Sequence, residues 1–197
     1  MTSLAELAGI VDLDRWPIDD LDGALGGAML AGCRADMERT GCCNMEGFLT
    51  AAGIATLARE AETLLAQAYW KNTMRNAYFS ADDPSLPVDH PRRAFFPIVM
   101  GQVAGDLIAE GSRLGRLYTS PPLIEFVRRV LELPALFVRA DVFQRLNLIV
   151  LPDGGVQPWH YDQNHFSVTL LLQAASEGGA FEFVPGLKSA DGEDIDA

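Results

Sequence analysis

Gln157-Pro158-Trp159-His160-Tyr161-Asp162 is the stretch whose reading decides the fold. In extended backbone, side chains two residues apart point to the same face, so the His160 imidazole and the Asp162 carboxylate converge on one point. An imidazole nitrogen and a carboxylate oxygen meeting at one point are a metal-ligand pair. A His-x-Asp triplet alone also arises in ordinary surface loops, so its flanks carry the argument.

Upstream, Phe143 to Leu151 alternates as a strand does, with Arg145 and Asn147 on one face and Leu146, Leu148 and Val150 on the other. Pro152-Asp153-Gly154-Gly155 is a turn signal. Downstream, Phe166 to Gln173 is a second β-rich run, Glu177-Gly178-Gly179 a second turn, and Ala180 to Val184 a third strand closed by Pro185-Gly186. The motif thus sits in a series of short strands joined by glycine-rich turns.

With those flanks, residues 147–186 resemble the Fe(II)/2-oxoglutarate-dependent oxygenase superfamily: an Asn-bearing strand, a Pro-Gly turn, Trp-His-Tyr-Asp, a hydrophobic strand, then Gly-Gly-Ala-Phe-Glu-Phe. The resemblance implies an α+β chain whose core is a double-stranded β-helix, a jelly-roll or cupin-like barrel. It also implies N-terminal support helices. By analogy His160 and Asp162 match the first two ligands of the two-histidine, one-carboxylate iron triad. Asn147 falls where some members hydrogen-bond 2-oxoglutarate. The implied activity is a hydroxylase-type oxidation by O2 of a small molecule such as an amino acid or other metabolite. Related halogenases replace the carboxylate ligand with a small residue, so Asp162 favours hydroxylation.

One departure bears on the site. The family takes its second histidine, and an arginine or lysine that pairs with the far carboxylate of 2-oxoglutarate, from strands beyond the motif. Here neither His nor Arg follows His165, and Lys188, read as a solvated turn residue, is the remaining cation. His165 is too close to Asp162 in sequence to wrap round to a third position, and His90 is the other imidazole that could complete a site. The chain is therefore expected to be an oxygenase domain lacking the last strands of its barrel, with open sheet edges through which copies could associate. Two alternatives compete: a catalytically inactive barrel that binds a ligand or partner, and a cupin-like metal isomerase or hydrolase.

Composition sets wider bounds. The 197 residues are 49% hydrophobic and 21% charged, the length and make-up of one globular domain. A net charge of −12 argues against nucleic-acid binding and means that an anionic co-substrate needs a local positive group. No apolar run is long enough to span a membrane and no signal peptide is evident, which reads as cytoplasmic. Cys33, Cys42 and Cys43 are an odd set with a vicinal pair, read as reduced thiols packed as small apolar residues.

Along the chain, a helical part to about residue 135 precedes the β-rich core from about residue 136. Residues 1–20 read as an N-terminal arm, residues 21–39 as a helix with Leu21, Leu25, Ala28 and Met29 on one face, and Gly41 to Met45 as a short strand. Thr50 caps a long helix whose apolar stripe runs from Ile54 to Tyr69, with Tyr69-Trp70 as core. The pattern then dissolves from Lys71 to Pro97, an irregular stretch from which Arg75, Tyr78, His90, Arg92 and Arg93 are candidates for a substrate lid. Ser120-Pro121-Pro122 opens a helix burying Leu123, Phe126, Val127 and Val130, which Leu133-Pro134 stops.

Overall fold

The computed structural model describes residues 7–162, 164–189 and 192–193. Among the described residues, helices α1 (Ala24–Thr40), α2 (Ala51–Glu62), α3 (Arg113–Tyr118) and α4 (Pro121–Val130) pack with a sheet of β1 (Tyr69–Arg75), β2 (Phe96–Val103) and β3 (Leu148–Val150). Two short strands, β4 (Lys188–Ser189) and β5 (Gly192–Glu193), pair antiparallel after them. The architecture is α+β. The sheet is antiparallel throughout, in the order β1-β2-β3.

Thr50 caps α2 as its position suggests, its side chain accepting from the Gly53 amide at 2.9 Å. α2 ends at Glu62, short of the expected stripe, because the next residues turn into a 3-10 segment at Leu65–Gln67 and then into β1. Tyr69 and Trp70 consequently sit on a strand, 70% and 51% exposed, and are not core. α4 forms as expected, with Phe126 and Val130 buried and Leu123 and Val127 packed beside them. Ser120 precedes its paired prolines, but its hydroxyl makes no capping bond.

The N-terminal residues are no arm. Leu7, Ile10, Val11, Ile18 and Leu21 are buried in the same cluster as Leu30 and Cys33 of α1, Leu57 of α2, Leu114 and Leu117 of α3, and Phe126 and Val130 of α4. The segment crosses α2 so closely that a Cβ at Gly53 would lie 2.3 Å from the Ile10 carbonyl oxygen, which is why a glycine stands in that first turn. α1 presents Gly26, Leu30 and Cys33 inward, while Leu25 is 75% exposed, so its buried face is rotated from the expected one. Cys33, Cys42 and Cys43 are free thiols, and residues 41–45 form no strand.

Two strands of the three-stranded sheet, β1 and β2, lie within the part expected to be helical. β3 covers only Leu148–Val150, near the end of the Phe143–Leu151 run. The runs 166–173 and 180–184, expected as strands, form none, and Val168, Leu171 and Phe181 are 64%, 73% and 76% exposed. A strand exists only by pairing its backbone with a neighbour, and alternation alone does not provide one. Among the described residues there is one three-stranded sheet where a two-sheet barrel was expected. Lys188 falls in β4 and the acidic end lies largely outside the described residues.

Candidate functional site

The loop after β3 delivers the motif. The Pro152–Gly155 turn closes with a Gly155 N–H to Pro152 carbonyl bond of 2.7 Å, with Gly154 at φ 69°. Val156 then returns to β2, exchanging backbone bonds with Val99 at 2.8 and 2.9 Å. Gln157 to His160 are thereby laid along the face of the sheet that carries Ile98, Met100 and Gln102 of β2, Lys71 and Arg75 of β1 and Ile149 of β3. Together with Asn76 and Phe79 they enclose an open cleft of about 140 Å³.

His160 and Asp162 meet. His160 Nδ1 lies 2.9 Å from the Pro158 carbonyl oxygen, and Nε2 lies 3.3 Å from Asp162 Oδ1. A carbonyl can only accept, so Nδ1 carries the proton, and in a neutral ring Nε2 then offers a lone pair. That lone pair faces a carboxylate oxygen, an arrangement that requires a cation between them, either a proton or a metal ion. Two ligand atoms each ~2.1 Å from one ion are about 3.0 Å apart at right angles and about 3.4 Å apart tetrahedrally, so the observed separation suits a shared metal. Asp162 Oδ2 accepts from the Ser167 hydroxyl at 2.6 Å, which fixes the carboxylate plane.

The donor set fits a metal at two points. Among the described residues no group of three or more His, Cys, Asp or Glu gathers in one place. His90 accepts from the Arg92 amide at 3.2 Å and caps a 3-10 turn at Pro91–Arg93, while His165 is exposed.

The opposite wall of the cleft is cationic. Lys71 Nζ donates to Gln102 Oε1 at 2.8 Å, and Gln102 Nε2 donates to Asn147 Oδ1 at 2.7 Å, a relay from β1 through β2 to the residue before β3 that orients the amide and the ammonium. Burial, with Arg75 nearby, pulls Lys71 below the ordinary lysine value. Asn147 therefore reaches the cleft through Gln102 and is not itself part of its lining.

The irregular stretch after β1 closes over the motif. The Tyr161 amide donates to the Ala77 carbonyl at 2.9 Å, the Tyr78 and Tyr161 rings are 5.0 Å apart, and Phe79 lies 5.3 Å from the His160 ring. Of the lid candidates, Arg75 lines the cleft, Arg92 lies over the Tyr78 ring at 4.9 Å, and Arg93 pairs with Asp82 at 2.9 Å. Trp159, beside the ligand pair, is half-exposed and lines the cleft. Lys71, Asn76, Phe79 and Gln102 were not singled out from the sequence; the apolar Ile98-Val99-Met100 run was the signal for the strand that aligns them.

No protein-family model matches the chain, and no curated protein or solved structure does. The resemblance to the oxygenases rests on the motif and its flanks.

Proposed function

We propose that this chain is an Fe(II)- and 2-oxoglutarate-dependent oxygenase of the hydroxylase type, acting on a small molecule, with its sheet forming part of a double-stranded β-helix. The observation that carries the reading is His160 Nε2 held 3.3 Å from Asp162 Oδ1 with Nδ1 turned to the Pro158 carbonyl, two ligand atoms at the spacing that one shared ion requires. Bound iron would supply the oxidising chemistry with O2 and 2-oxoglutarate. The chain's own residues bind and orient. His160 and Asp162 hold the metal at two positions, and the third ligand is taken to come from outside the described residues. Lys71 and Arg75 bring positive charge to the cleft, which an otherwise acidic protein must do to receive a dicarboxylate.

The test is an anaerobic titration with Fe(II) and 2-oxoglutarate, followed by the metal-to-ligand charge-transfer absorption. It should be run on this chain and on one extended by any further coding sequence. A band that disappears in His160→Ala is the expected result. No band in either chain, with no Fe(II) bound, would remove the oxygenase reading. Fe(II) bound without a 2-oxoglutarate band would favour the cupin-like metal site.

A further inference from the structure

Phe79 has φ 57°, a left-handed conformation that is an outlier for a bulky aromatic residue. It is held there from within. Asn76 is 2% exposed and every atom of its amide is engaged: Oδ1 accepts from the Tyr78 and Ser80 amides at 3.2 and 3.0 Å, and Nδ2 donates to Ser80 Oγ at 3.0 Å and to the Arg92 carbonyl at 2.6 Å. This knot fixes the turn at residues 76–80 and sends the Phe79 ring between two partners. The Arg75 guanidinium lies 5.7 Å from its centroid and the His160 ring 5.3 Å away, tilted by 57°. Phe79 is 36% exposed and is not among the residues of the hydrophobic core, so core packing does not account for the strained backbone. Such strain persists only where the surroundings over-determine it, and it gathers at functional sites.

We propose that Phe79 is a positioning residue for His160, with the Asn76 knot as its support. Its ring closes one side of the imidazole while the Pro158 carbonyl fixes Nδ1, so that Nε2 stays turned toward Asp162. The inference deepens the metal-site reading and rests on it for the metal, but the ring orientation itself can be read without one.

The experiment uses the full chain and the variants Phe79→Asn and Phe79→Tyr. Asparagine tolerates the left-handed backbone and removes the ring, whereas tyrosine keeps it. Two readouts are taken: the ¹⁵N shifts of the His160 ring nitrogens in metal-free protein, and Co(II) affinity from its absorption spectrum. In Phe79→Asn the Nδ1-protonated form should give way to a mixture of tautomers and the Co(II) Kd should rise about tenfold, the scale of losing a ligand-orienting contact. Phe79→Tyr should match the wild type in both, and Phe79→Asn should melt no lower than Phe79→Tyr. Unchanged nitrogen shifts in Phe79→Asn would overturn the proposal, as would equal changes in both variants. If the wild type binds no Co(II), the metal reading fails while the nitrogen shifts still decide the role of Phe79.

Discussion

The helical layer, α1 to α4 with residues 7–21, and the residues of 134–187 outside β3 place most of their apolar side chains in opposite ways. In the first, Leu57, Val11 and Ile18 are 0–1% exposed and every helix turns its stripe onto the same cluster. In the second, Phe137, Leu171 and Phe181 are 83%, 73% and 76% exposed. The difference lies in how each element satisfies its backbone. A helix bonds its own N–H and C=O groups and needs a neighbour only for its apolar stripe, whereas a strand needs the neighbour for both. The cleft sits at the seam: its floor is paired sheet, and its rim is the segment held by the Val156 bridge to β2 and the Tyr161 amide bond to Ala77.

The largest expected effect tests that contrast directly. Leu57→Ala should destabilise the fold by about 2–5 kcal/mol in urea denaturation, while Val168→Ala should stay within about 0.5 kcal/mol. Similar losses at both positions would show that the 166–173 run is covered in solution and would break the comparison.

Next, Asp162→Ala should weaken Co(II) binding by more than about a hundredfold, beyond the loss of an outer-shell partner, with the urea midpoint unchanged. A shift of the midpoint in place of the affinity would make Asp162 structural.

The thiols sharpen the comparison from the packed side. Burial first, and then the hydrogen bond with Cys33, push Cys43 up to about 12, so little thiolate forms near neutrality. Alkylation by iodoacetamide at pH 8 should be far slower at Cys43 than at a free cysteine, and should reach that free rate in denaturant. Prompt labelling of Cys43 in the native protein would mean that the packing around α1 opens readily.

The smallest effects are in the pH dependence. Lys71 is lowered by burial, so between its folded value and the ordinary lysine value the unfolded chain binds more protons, and stability rises as pH increases through that window. The Arg128 and Arg129 guanidiniums hold Glu125 at about 2, so its contribution is present above the ordinary carboxylate value and is lost as pH falls from there toward 2. Urea midpoints across both ranges should show slopes of the same sign. Lys71→Met should remove the alkaline one and, with it, binding of 2-oxoglutarate. A retained alkaline slope would assign it to another group.

Much of the helical layer was legible because its signals are local. The Thr50 cap, the Ser-Pro-Pro entry to α4 and its stripe at Phe126 and Val130 are set by spacing within a turn or two. The N-terminal segment was misread because its buried residues, Leu7, Ile10, Val11 and Ile18, follow no single period, being collected by contacts with α2 and the Val11–Leu49 bridge. β1 was illegible for a different reason. Six of its seven residues are exposed, so it has no burial alternation to display, and it is a strand because β2 lies beside it.

What the amino-acid order determined by itself is the convergence of His160 and Asp162, since extended backbone puts alternate side chains together over a few ångströms whatever surrounds them. What only the tertiary structure decided is the company they keep. Lys71, Asn76 and Phe79 come from a stretch with no periodicity, and they meet the motif because β2 aligns β1 on one edge and the returning chain at Val156 on the other. Faces are encoded by local backbone geometry; contacts between distant segments are encoded by which backbone groups and apolar surfaces are left to satisfy one another.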